Sequence, residues 1–221
     1  MGSRAFYAQF LQDPQLDAGD IIERGWFGYY EIDHRTTPAD AIVMSWDTSF
    51  GANEGNDYSV CTEWEIRGEY LLLIRVFRAK LDYPTLRTVA LERARLRGAH
   101  YVLIEKAASG LGLAPDIRRA DIPGQVVSIT PRGDKRMRFE MASTLIEAGR
   151  MLLPDDNPPW LDGYLRELLG FPGGRYDDQV DSTSQFLNWV RNRQFQPRRE
   201  GQRPQRARPN RQRTRRRPRL S

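Results

Sequence analysis

Cysteine is almost missing from this chain: Cys61 is the only one in 221 residues. A single thiol forms neither an internal disulfide nor a cysteine-based zinc site, so the fold must rest on its core. A chain of this length buries roughly 70–75% of its unfolded surface and needs no covalent staple. Histidine is nearly as scarce, with only His34 and His100. That excludes histidine-rich metal sites and HxxxH metalloproteases, and leaves carboxylates to hold any metal. No stretch approaches the roughly 18 uninterrupted apolar residues of a membrane span. The start, Met1-Gly2-Ser3-Arg4, lacks the apolar core of a signal peptide. No GxxxxGK(S/T) occurs, so the chain contains no phosphate-loop ATPase of its own. Lysine is also rare: Lys80, Lys106 and Lys135 stand against 31 arginines, a bias that a GC-rich genome produces as readily as function.

What is present is divided by charge. The net charge of +5 conceals 13 arginines and one acid, Glu200, in residues 191–221. The remaining 21 basic and 28 acidic residues give the first 190 positions a charge of −7 against +12 for the tail. After Phe195 the tail has no aromatic and almost no aliphatic residue, so it cannot offset chain entropy by burial and reads as disordered. Guanidinium groups pair with phosphate and release counterions. The tail is therefore expected to bind nucleic acid through Arg198, Arg199, Arg203, Arg206, Arg208, Arg211, Arg213, Arg215, Arg216 and Arg217, the alternative being a solvated segment without a partner.

Residues 1–40 read as a lead-in or linker that packs on the following domain, with Phe6, Tyr7, Phe10, Trp26, Phe27, Tyr29 and Tyr30 scattered among polar residues. From Ala41 the pattern becomes regular. Ala41–Trp46 is an apolar run ending at Asp47, and Tyr58–Ile66 and Tyr70–Phe77 form a hairpin around Arg67-Gly68-Glu69. Pro84 to Arg97 is helical, with proline suited to the first turn and Gly98 to the end. Strands follow at Ala99–Ile104, Gln125–Ile129 and Met151–Leu153. Helices are expected over 109–119, 134–149, 160–169 and 179–190. Hairpin strands followed by alternating helix and strand imply an α/β domain over 41–190, a mixed sheet with helices on both faces.

Two carboxylates share one context. Asp47 and Glu105 are each the first charged residue after an apolar strand run, and strand C-termini line the crevice where α/β sheets bind ligands. A third group, Asp177-Asp178-Gln179-Val180-Asp181, opens the last helix, where Asp178 and Asp181 share a face. Each has an ordinary explanation: helix capping for Asp177 and its neighbours, a strand-end turn for Asp47. Glu105 has less of one, since glutamate has little turn preference. Together they suit Mg²⁺ or Mn²⁺, hard cations that prefer oxygen. Two such ions activate water and stabilise the leaving oxygen of a phosphodiester without any histidine.

Four blocks, SWDTSFGANEGNDYSV, YVLIEKAASGLGL, DKRMRFEMASTLIEAGRMLLP and FPGGRYDDQVDSTSQFL, resemble in order and spacing the nuclease domain of the large terminase subunit of tailed bacteriophages. The lead-in SRAFYAQFLQDPQLDAGDIIERGWFGYYE is similar to that family's segment between ATPase and nuclease, so the resemblance spans about residues 4–190. It implies an RNase H-like fold and a two-metal (Mg²⁺ or Mn²⁺) endonuclease that cuts concatemeric double-stranded DNA during genome packaging. The family's acids fall on Asp47, Glu105, Asp178 and Asp181, the first three as catalytic ligands and Asp181 as a further ligand or base. Implied partners are double-stranded DNA, the terminase ATPase domain, the small terminase subunit and the portal, in the host cytoplasm and with no membrane. The chain departs from the pattern at Tyr176, where the family often has histidine, and at Lys106 and Ala107, where it often has an acid and a lysine. The ATPase half is absent, so the chain is expected to be an excised domain or a separately encoded nuclease. Two alternatives stay open: another RNase H-like nuclease, such as a resolvase or transposase core, or a non-catalytic DNA-binding packaging module whose carboxylates are caps and turns.

Overall fold

The computed structural model describes residues 19–31, 38–48, 58–106 and 112–193. Arg198, Arg199 and the other arginines named in the tail lie outside the described residues, as do the first part of the lead-in and the glycine-rich loop 49–57. Among the described residues seven strands form one sheet: β1 (Gly28–Tyr30), β2 (Ala41–Asp47), β3 (Ser59–Arg67), β4 (Tyr70–Ala79), β5 (Tyr101–Glu105), β6 (Gln125–Ile129) and β7 (Met151–Pro154). Their order is β1-β7-β4-β3-β2-β5-β6. The central pairs β4/β3 and β3/β2 are antiparallel and all others parallel, so the sheet is mixed.

Local chemistry accounts for most of the elements. The β3–β4 hairpin turns at Gly68, whose φ of +59° suits glycine. Asp82 caps α1 (Tyr83–Arg97) by accepting a hydrogen bond from Thr85 N, and Gly98 ends that helix at φ +61°. Asp134 caps α3 (Lys135–Glu147) in the same way, accepting from Met137 N at 2.7 Å. The remaining helices are α2 (Leu113–Arg119), α4 (Leu161–Gly170) and α5 (Asp178–Arg193). α5 therefore includes Arg191 and Arg193, the first two arginines of the basic run.

Two cores lie on opposite faces of the sheet. On one, α1 and α2 cover Met44, Trp46, Cys61, Val102 and Ile104. On the other, α3, α4 and α5 cover Val43, Trp64, Leu73 and Leu103, with the Trp64 ring stacked on Phe186 at 4.3 Å. β3 sits mid-sheet, and Ser59–Ile66 is buried on both faces. One strand was not legible in the sequence: β1, within the lead-in, pairs with β7 at the sheet edge. Ile21, Ile22 and Phe27 join the larger core. Gly19 donates to Leu169 O at 2.7 Å, and a Cβ there would lie 2.0 Å from Phe171 O.

Candidate metal centre

Strand periodicity aims the first two carboxylates. In β2, Met44 and Trp46 face the α1/α2 layer, whereas Val43 and Ser45 face α5, so Asp47 continues the α5-facing row. In β5, Val102 and Ile104 face α1/α2 and Leu103 the other side, so Glu105 also emerges toward α5. The two strands are parallel neighbours with Trp46 opposite Ile104. Asp47 and Glu105 therefore leave the sheet beside each other, on one face, at the C-terminal end.

The start of α5 brings the other acids. Its first turns carry buried Gln179, Ser182, Thr183 and Ser184, small or amide side chains that let the helix approach the sheet closely. Ser45 Oγ donates to Ser182 O, and Ser182 Oγ donates to Ser45 O, both at 2.8 Å. Thr62 N donates to Ser182 Oγ at 3.2 Å, and Gln185 Nε2 donates to Ser45 Oγ at 2.9 Å. Glu167 accepts from Gln179 N at 2.6 Å and ties α5 to α4. Gln179, Ser182 and Thr183 are thus satisfied by other elements, which fixes the helix over β2 and β3.

The carboxylates act on one another. Burial is the largest cause holding the Asp47 carboxyl well above the ordinary range, and the charges of Asp181, Glu105 and Asp178 push it further, against Lys135. Glu105 is raised by burial and then by Asp181, with Arg138 and Lys135 opposing. Burial also raises Asp178, against its hydrogen bond from Arg78. All four acids singled out in the sequence thus meet electrostatically, with Asp47 at the hub. Asp177 stands at the rim, more than a third exposed.

Three cations at the site escaped the sequence reading. Lys135 Nζ lies 2.6 Å from Asp181 Oδ2 and 2.7 Å from Asp177 Oδ2. Arg138 Nη2 takes the other Asp181 oxygen at 2.8 Å. Burial works against the Lys135 ammonium, but its hydrogen bonds to Asp177 and Asp181 outweigh that and raise its pKa. Arg78 lies between the Tyr58 and Tyr176 rings, 3.9 and 4.6 Å from their centroids, and reaches Asp178 at 3.3 Å and Glu167 at 4.0 Å. One signal was available for two of them: cations in the first turn of a helix oppose the macrodipole, so Lys135 and Arg138 needed another reason to be there.

The donor set fits a hard divalent cation, because it offers carboxylate oxygens only and their mutual repulsion is relieved by added positive charge. Among the described residues, however, no three His, Cys, Asp or Glu side chains are gathered as they stand into one cation site. Lys135 and Arg138 explain this in part, since both oxygens of Asp181 are already held by the chain's own cations.

A family model described as the terminase RNase H-like domain matches residues 44–189, a span that includes all four acids. Solved structures share the fold. The large terminase nuclease of thermophilic phage G20c with bound cobalt is 17% identical at a TM-score of 0.50, covering 67% of this chain and 80% of that one. The nuclease domain of the Thermus phage P74-26 large terminase is 16% identical at 0.50, covering 73% and 90%. The large terminase of a further thermophilic bacteriophage, in complex with ADP, is 13% identical at 0.54, and its match covers 77% of this chain but 44% of that protein. No curated protein matches the chain.

Proposed function

Because the chain belongs to the terminase RNase H-like domain family, we propose that it is a divalent-metal-dependent endonuclease that cuts concatemeric double-stranded DNA during genome packaging. The observation that supports this reading is that Asp47 and Glu105 leave the C-terminal ends of two parallel neighbouring strands on the face covered by α5, with Asp47 raised by burial and by the charges of Asp181, Glu105 and Asp178. Membership of this family favours a terminase over a resolvase or transposase core.

Asp47, Glu105 and Asp178 would hold Mg²⁺ or Mn²⁺, with Asp181 as a further ligand or base. Two ions bound there would lower the pKa of the attacking water and stabilise the leaving oxygen. The G20c nuclease structures with cobalt and with zinc support a divalent ion in this fold. The chain's own residues do the rest. Asp47 and Glu105 would supply two donors from the sheet, and the Ser45–Ser182–Thr62 hydrogen bonds, which fix the first turns of α5 on β2 and β3, would steady Asp178 and Asp181. Arg78 orients the Asp178 carboxylate. With its acids unneutralised the site repels a phosphodiester, which gives a physical reason for needing cations.

The same reading extends to the surroundings. Residues 41–190 carry the nuclease, to which β1 of the lead-in adds an edge strand, the lead-in 1–40 links toward an ATPase domain, and the arginines of 191–221 bind DNA. The small terminase subunit and the portal are the further partners, and the host cytoplasm is the setting. The test is plasmid cleavage with Mn²⁺ and again with EDTA. Cutting that requires the ion and is lost in Asp47→Asn supports the reading, and ion-independent cutting or none with Mn²⁺ overturns it.

A further inference from the structure

A groove of about 680 Å³ starts at Glu105 and Asp181 and runs away from the carboxylates between the end of β6 and the outer half of α5. Apart from the acids its charged and amide lining is Arg138, Gln185 and Asn188, together with Arg132, Arg191 and Arg193. None of the last three arginines forms an ion pair with another described residue, so their charge is available to a ligand. Arg191 is steadied by donating to Met141 O at 3.0 Å. Arg193 lies over the Trp189 and Tyr101 rings, 4.8 and 5.1 Å from their centroids.

This lining recognises a flexible polyanion with planar groups. Guanidinium forks pair with phosphate oxygens, amides donate to phosphates or base edges, and an arginine stacked on aromatics offers a flat face to a base. The volume lies within the roughly 300–1,000 Å³ of pockets that enclose a drug-sized molecule. A volume of that size matches a few nucleotides of one strand rather than the full width of a duplex. We propose that the groove binds a single DNA strand next to the scissile phosphate, separated there from its complement. The inference rests on the nuclease reading and adds where one strand lies and which residues grip it.

The test uses the full chain in EDTA, so that nothing is cut, with a short single-stranded oligonucleotide carrying 5-iododeoxyuridine for photocrosslinking. Crosslinked peptides are expected within 130–132 and 185–193. The double variant Arg132→Ala/Arg193→Ala removes two exposed side chains. It should lose those crosslinks and lower the slope of log K against log salt by about 1.4, or 0.7 per phosphate contact. Mapping matters because the eleven arginines of 194–221 attract any polyanion. Absence of crosslinks within the groove, or an unchanged slope in the double variant, overturns the assignment. Manganese-dependent plasmid cutting by the wild type separates the two failures. Cutting without groove crosslinks sinks the strand path alone, whereas no cutting sinks the nuclease reading and the path with it.

Discussion

Replacing Lys135 by methionine keeps most of the side-chain stem and removes the charge that bridges two carboxylates. In the wild type the ammonium lies 2.7 Å from Asp177 and 2.6 Å from Asp181. The Asp177 pair joins partners that are 48% and 39% exposed, so solvent screening leaves it about 0.2–1 kcal/mol. Asp181 is only 8% exposed, and stripping a buried ion of its partner costs about 3–5 kcal/mol. Arg138 still holds the other oxygen of Asp181 and Lys135 itself is half exposed, which reduces that share to about 1–2 kcal/mol. The total is about 2 kcal/mol. For a chain of this size that lowers the melting temperature by about 4–8 °C in EDTA. A divalent ion supplies the missing charge, so the loss should shrink in millimolar Mn²⁺. By linkage, the stability that returns appears as tighter metal binding, about tenfold for each 1.4 kcal/mol recovered. Melting of both proteins across a Mn²⁺ series measures the two effects together. An equal loss with and without Mn²⁺, or weaker Mn²⁺ binding by Lys135→Met, would refute the idea that the lysine and the ion compete for the same oxygens.

Three further outcomes follow from the same geometry. A carboxyl raised in the folded state binds protons that the unfolded chain has released, so it costs stability as pH climbs from the ordinary carboxylate range through its raised pKa. Asp47→Asn should therefore be at least as stable as wild type in EDTA at neutral pH and lose less stability between acid and neutral pH, while plasmid cutting falls by about 10²-fold; strong destabilisation in EDTA would mark Asp47 as a structural turn residue. Phe186→Ala removes the buried ring stacked on Trp64 and should cost about 3–5 kcal/mol in denaturant unfolding; a cost under about 1 kcal/mol would contradict the packing of α5 on the sheet. Removing residues 194–221 should lower the salt slope of duplex binding by roughly 4–5 units if five phosphates are contacted; an unchanged slope would assign the arginines to a different partner.

Much of the fold was legible because its causes are local. Apolar and β-prone runs marked β2, β3, β4, β5 and β6, while Pro84 and Gly98 bounded the first helix within a residue or two. The short edge strand β1 was not legible, since three residues carry too little periodicity and their partners on β7 lie over a hundred positions away. The same division runs through the site. That Asp47 and Glu105 end strands is written in the runs that precede them. That those strands are parallel neighbours is not, because pairing depends on the whole sheet order.

The sequence by itself determined the chemistry available to this protein. With one cysteine and two histidines, only carboxylates were left as ligands for a metal, and the arginines gathered at one end of an acidic chain. The four acids could be listed from their positions at element ends. Tertiary structure alone decided how they meet. Ser182 locks α5 onto Ser45 and Thr62 across more than a hundred residues, and Lys135 and Arg138 arrive from a separate helix to hold Asp181. The sheet order likewise opens an arginine-lined groove beside Glu105. The reason is the range of the forces: propensity, capping and periodicity act over a few residues and can be read along the chain, whereas burial and charge coupling exist only between segments that folding has brought into contact.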